Sequence, residues 1–117
     1  MAWKNTLKYR QELILATSWK DKPHAIPVLS LGFIDQKLLI GACIMKTTLK
    51  NLQNNNKVSI ATKNKKEYYR IEGRAKIFSS GKYLKKAINL SRPPLPHHAI
   101  LINITQVVDL VKGKKVF

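Results

Sequence analysis

Tyr69-Arg70-Ile71-Glu72-Gly73-Arg74-Ala75-Lys76-Ile77 alternates, residue by residue, between apolar or small side chains and charged ones. A period of two over this length describes an antiparallel strand with one buried and one wet face. Gly73 interrupts the middle, where a bulge, a bend or the close approach of another group is expected. Val58, Ile60 and Thr62 alternate in the same way just upstream, and Asn64-Lys65-Lys66 between the two segments reads as a hairpin loop.

Further out, Leu13–Trp19 and His24–Leu31 are apolar and rich in β-formers, joined by the polar Lys20-Asp21-Lys22. Leu38–Cys43 makes another strand after a turn at Asp35-Gln36-Lys37. Ile100, Ile102 and Ile104 alternate again, and Val107–Val111 continues or follows that strand. Three segments carry helical spacing instead. Residues 2–11 place Trp3 and Leu7 on one stripe. Thr47–Gln53 opens with hydroxyl side chains suited to capping and runs into Asn54-Asn55-Asn56, which propagates a helix poorly. Gly81–Leu90 sets Tyr83 or Leu84 against Ala87 and Ile88 and stops ahead of Pro93-Pro94. The pattern predicts a β-dominated α+β fold, a small barrel of about six antiparallel strands with short connecting helices. Closing the barrel would remove sheet edges that are open to aggregation.

The chain of 117 residues and 13.4 kDa reads as one domain over residues 1–117. Hydrophobic residues make up 44% of it, enough for a packed core and too many for wholesale disorder. A domain this small buries only about two-thirds of its unfolded surface, so a second copy or a tightly held ligand would help it. No run reaches the ~18 apolar residues of a membrane span. Met1-Ala2-Trp3-Lys4-Asn5 lacks the charged start and apolar stretch of a secretory signal, and Cys43 has no internal disulfide partner. A soluble, cytoplasmic protein with no membrane partner is expected. Twenty-two Lys and Arg against six Asp and Glu leave a net charge of +16. Such a surface attracts anions. Eighteen of the 22 are Lys, which fits a compositional drift as well as it fits a polyanionic partner.

The acids are too scattered for general acid–base work: Glu12, Asp21, Asp35, Glu67, Glu72 and Asp109 fall mostly in turns or on wet strand faces. No nucleophile elbow and no Gly-rich phosphate loop occurs. His97 and His98 are adjacent, so on a strand they face opposite ways, and no metal site is expected. Cys43 reads as a small core residue at the end of a buried strand. One stretch stands out, Cys43-Ile44-Met45-Lys46-Thr47-Thr48-Leu49-Lys50-Asn51-Leu52. There a strand gives way to a helix start, whose N–H groups converge with hydroxyls and ammonium groups. Those are the donors a phosphate monoester needs, although an ordinary capped helix carries the same residues.

Leu15-Ala16-Thr17, Pro23-His24-Ala25-Ile26-Pro27-Val28, Lys46-Thr47-Thr48-Leu49-Lys50-Asn51-Leu52, Lys57-Val58-Ser59-Ile60 and Ile71-Glu72-Gly73-Arg74-Ala75 follow one another in that order. The succession resembles the pyridoxamine 5'-phosphate oxidase-like split-barrel family, especially its short FMN-binding members, over about residues 13–77. Two turns depart from the family: Asp21-Lys22 stands where Gly is common, and Asn55-Asn56 where Asn-Pro is common. The C-terminal third also lacks the long substrate-binding extension of the vitamin-B6 oxidases.

The resemblance implies a split β-barrel that holds FMN at the two-fold interface of a homodimer. It implies an oxidoreductase or electron carrier, supplied by a nicotinamide donor or a redox protein. Lys46, Thr47 and Thr48 would hold the FMN phosphate, with Lys50 or Asn51 behind them. Ile26, Pro27 and Val28 would lie along the isoalloxazine and bond it through backbone groups. Ala42, Cys43, Ile44 and Met45 would line the ring and ribityl chain, and Pro94, Leu95, Pro96 and His97 would reach the partner's pocket. The flavin would carry the redox chemistry, so a missing acid–base set is expected. Deazaflavin or haem in the same fold is one alternative. The other is a basic barrel that binds single-stranded nucleic acid through Tyr68, Arg70, Arg74 and Lys76, and it is the less favoured.

Overall fold

The computed structural model describes residues 2–117. Helix α1 (Ala2–Asn5) leads into strands β1 (Glu12–Trp19), β2 (Lys22–Leu29), β3 (Phe33–Ile34) and β4 (Lys37–Ala42). Helix α2 (Lys46–Asn54) follows, then β5 (Lys57–Asn64), β6 (Glu67–Phe78), α3 (Lys82–Leu90), β7 (His98–Asp109) and β8 (Lys114–Lys115). The fold is a β-dominated α+β split barrel. Its antiparallel sheet runs β2-β1-β5-β6-β7-β4-β3, with β8 added to β7.

The alternating stretch that opened the sequence is the middle of that sheet, β6, flanked by β5 and β7. The register shifts between Glu72 and Gly73, which marks a bulge. A Cβ at Gly73 would lie 2.5 Å from Asn103 O and 2.9 Å from Ile102 Cγ2, so the glycine also lets β7 come close. Of the three alternatives for this position, the bulge and the close approach are both present.

Apolar residues at every second position point inwards, and Leu13, Leu15, Leu38, Ile40, Ile60, Ile71, Ile100 and Ile102 fill the curl. Helix α3 covers part of the outer face. It packs around Ala87 against Leu39, Ala99 and Leu101, with Tyr83 and Leu84 at the margin. Strand β4 is thus buried on both faces.

Several expectations need correction. The sheet is not closed, because β2 and β3 end it without pairing to each other. The two sides are stitched by the crossing chain, where Leu31 N donates to Leu39 O (2.9 Å) and Leu39 N to Gly32 O (3.0 Å). Pro23 and Pro27 on β2 have no N–H to offer a further strand, as suits an edge. The helix expected over 2–11 ends at Asn5. Thr6 Oγ1 turns back to donate to Trp3 O at 2.6 Å, and Arg10 adopts a positive φ, so the chain tightens into turns. Trp3 and Leu7 are buried all the same. The count of strands rises to eight because the two-residue β3 and β8 carry too few residues to show a period.

The hairpins are also tighter than expected. Lys20 and Asp21 have φ of 54° and 59°, and Asp35 and Gln36 have 52° and 65°. Both are two-residue turns with left-handed central residues, the geometry that matches strand twist. Neither uses glycine.

Candidate functional site

Helix α2 begins at Lys46 with Met45 as its cap residue, and no side chain bonds the first-turn N–H groups. Thr47 and Thr48 therefore lie inside the first turn and do not cap it, contrary to the sequence expectation. The first turn carries no acid that would neutralise the positive end of the helix dipole. The helix is pinned from behind. Asn51 Nδ2 donates to Thr17 Oγ1 at 3.1 Å in a buried setting, and Asn55 Nδ2 donates to Ser18 O at 3.1 Å.

A cleft of about 480 Å³ opens where this helix meets the β1–β2 hairpin. Thr47, Lys50 and Asn51 form one wall, and Trp19, Lys20, Lys22, Pro23 and His24 form the other. Lys20 Nζ sits 4.6 Å and Lys50 Nζ 5.4 Å from the Trp19 ring centroid. One indole ring thus gathers two ammonium groups. No carboxylate lines this cleft among the described residues. A larger cleft of about 560 Å³ adjoins it through Pro23 and runs across the outer face of β1, β5 and β6, past Ser18, Lys57, Ser59, Glu72 and Arg74.

Of the residues expected at the site, the structure brings Thr47, Lys50 and Asn51 together. Lys46 is exposed at the first helical position but is not a wall of the cleft. The Thr48 side chain is buried, and its Oγ1 has no hydrogen-bond partner. Ala42 and Val28 are core residues, while Ile26 and Met45 pack against the core from its margin. Pro27 is exposed, and Ile44 is 86% exposed. With Val28 in the core and Ile26 packed against it, a ring contact from these two would come from the backbone of the open β2 edge, whereas the Pro27 side chain is itself exposed. Cys43 lies beyond β4, half-exposed, with Sγ donating to Pro94 O at 3.3 Å. That overturns its assignment to the core: the strand ends one residue earlier, and the chain turns outwards. It lines a separate groove with Arg10 and Arg92.

Sequence reasoning missed Trp19, Lys20 and Lys22 as walls of the cleft. The aromatic–basic pair Trp19-Lys20 at a hairpin was the only local hint, since nothing linear relates residues 19–24 to 47–51.

The hydrogen bond to Glu67, together with burial, pushes the Tyr69 hydroxyl up to about 12. Hydrogen bonds from Lys82 and Tyr83 hold the Asp35 carboxyl below its usual value, and Asp35 in turn raises Lys82. No cluster of three metal-ligating side chains occurs among the described residues. No helix among them is long and apolar enough to cross a membrane.

The sequence pattern of the family described as pyridoxamine 5'-phosphate oxidase matches residues 2–110. An uncharacterised protein of Methanocaldococcus jannaschii, MJ0282, is 33% identical over 110 residues, covering 86% of this chain and 74% of that one. This chain belongs to the pyridoxamine 5'-phosphate oxidase family. Among solved structures, HupZ of Group A Streptococcus has the same fold, with a TM-score of 0.87 and 21% identity over 100% of this chain and 98% of that one. A pyridoxamine 5'-phosphate oxidase-related FMN-binding protein of Nostoc punctiforme gives 0.65 at 16% identity, over 96% of this chain and 81% of that one. A structure called F420 reductase gives 0.69 at 17%, over 89% of this chain and 94% of that one.

Proposed function

We propose that this protein binds FMN and serves as an oxidoreductase or electron carrier, as a cytoplasmic homodimer with one domain per chain. The observation that carries the reading is the carboxylate-free cleft at the start of α2, where Thr47 and Lys50 meet Lys20, Lys22 and His24. A phosphate with nearly two negative charges fits donors of this kind, and the first-turn N–H groups of α2 add to them. Thr47, Lys50 and the helix start would hold the phosphate, with Lys46 at the rim and Asn51 fixing the helix. The ring would lie towards β2 and the Ala42–Met45 segment. When bound, the flavin supplies the redox chemistry, and the chain's residues bind and orient it. The family and the FMN-binding neighbour from Nostoc support this cofactor.

A deazaflavin is the second reading, favoured by the similarity to an F420 reductase. A nucleic-acid surface on β6 has less support, because Arg70 Nε is held 3.3 Å from Glu72 Oε1.

The test is a titration of FMN and riboflavin, followed by flavin fluorescence, into the wild type and three variants. Lys50→Ala should weaken FMN by about tenfold to a hundredfold, Thr47→Val by less, and Lys46→Ala least. Riboflavin should barely change. Equal losses for both ligands would place the phosphate elsewhere, and protein purified in the dark without flavin absorption would count against the cofactor itself.

A further inference from the structure

We propose that the larger cleft is a docking site for a nicotinamide dinucleotide, with its pyrophosphate between Lys57 and Arg74. The choice of ligand rests on the flavin reading, and the site itself on the following geometry.

The register sets Lys57 directly opposite Arg74 across β5 and β6, and both side chains are exposed. Cross-strand partners have Cα atoms roughly 5 Å apart, and like charges directly opposite destabilise a sheet. An anion between them removes that repulsion. Arg74 is braced from one side, since its Nη1 donates to Asn56 Oδ1 at 3.3 Å, while Asn56 O accepts from Ala75 N at 2.8 Å. Arg74 lines the cleft, and a planar guanidinium fork matches two phosphate oxygens at once.

Ser18 and Ser59 line the same cleft, and Ser18 Oγ accepts from Asn55 Nδ2 at 3.3 Å. Its one acid, Glu72, has Oε1 at 3.3 Å from Arg70 Nε, so a cation outside the cleft meets its charge. The bulge at Gly73 bends β6 beneath this spot. A pyrophosphate presents two adjacent negative charges, and the two strands present two adjacent cations.

Size and position agree. The volume of about 560 Å³ lies within the roughly 300–1,000 Å³ of small-molecule sites. Pro23 is a wall of both clefts, so a molecule anchored on Lys57 and Arg74 extends towards the flavin cleft.

The experiment titrates NADH calorimetrically into wild type and variants, with inorganic pyrophosphate as competitor, and titrates FMN into the same proteins separately. Arg74→Gln should weaken NADH by about tenfold to a hundredfold, and Lys57→Gln by about tenfold. Arg74→Lys should recover only part of the loss, because it keeps the charge without the fork. Lys85→Gln, on α3 and outside both clefts, should leave NADH binding unchanged. Pyrophosphate should displace NADH. NADH binding indifferent to Arg74, or weakened as much by Lys85→Gln, would overturn the proposal, since diffuse charge would then explain it. Arg74-dependent NADH binding by protein that takes no FMN would keep this site and remove the flavin reading. FMN binding without any NADH binding would do the reverse.

Discussion

Asn51 on α2 and Thr17 on β1, 34 residues apart, share a buried hydrogen bond of 3.1 Å from Nδ2 to Oγ1. It ties the helix that opens the cationic cleft to the strand whose next residues, Ser18 and Trp19, line the two clefts. Removing one partner leaves the other buried and unsatisfied, which costs about 1–3 kcal/mol. Asn51→Ala should therefore lower stability by that amount in urea unfolding. The double variant Asn51→Ala/Thr17→Val should cost less than the two single changes added together, because neither group is then left without a partner. Strict additivity would mean the bond contributes nothing.

Gly73→Ala tests the close approach of β7. The new Cβ would meet backbone, Asn103 O, at 2.5 Å, so a strand has to move. Overpacking of this kind costs about 1–3 kcal/mol. Thermal unfolding should show a clear drop in Tm, whereas Gly113→Ala, where a Cβ meets nothing within 4 Å, should show only the smaller effect of its positive φ of 66°.

Tyr69 gives a pH signature. Its hydroxyl donates to Glu67 Oε2 at 2.7 Å and ionises at about 12 in the folded chain. A group whose folded pKa is raised contributes stability below its unfolded value, about 10, and that contribution is lost as pH climbs towards the folded value. Urea midpoints of the wild type should fall between about pH 10 and 12. Tyr69→Phe should start lower and fall less over that window, with the other tyrosines and the lysines as a common background. Parallel curves would show that the hydroxyl is not coupled to folding.

The proposed homodimer has a visible surface. Ile14 on β1, Leu29 on β2 and Tyr68 on β6 are each more than 40% exposed. Ala61 on β5, the cross-strand partner of Ile14, adds a small exposed side chain, and the patch sits towards the opposite end of β1 from Ala16 and Ser18 in the larger cleft. A second copy covering this face would bury apolar surface worth roughly 25 cal/mol per Å². Light scattering at micromolar concentration should give about twice 13.4 kDa, and Ile14→Lys should shift the protein towards monomer. A monomer that still binds FMN stoichiometrically would remove the interface from the proposal.

Local pattern alone carried most of the sheet. A period of two is printed in β1, β5, β6 and β7 because one face of each is buried and the other is wet, and the bulge at Gly73 follows from a residue without a side chain in mid-strand. Tertiary structure decided what lies beyond the reach of neighbouring residues. The α1 helix stops early because Thr6 and Arg10 turn the chain back, and Cys43 leaves the core because β4 ends at Ala42. Thr48, which reads as a phosphate ligand in the linear motif, faces inwards because a helix turns about 100° per residue and only one side of α2 can meet the cleft. Lys57 and Arg74 are 17 positions apart, unremarkable among so many cations, until antiparallel pairing sets them opposite each other. Sequence specifies which groups exist and which way each local element points. Only the pairing of distant strands, driven by burial of a shared core, brings Trp19, Lys20, Thr47 and Lys50 around one space.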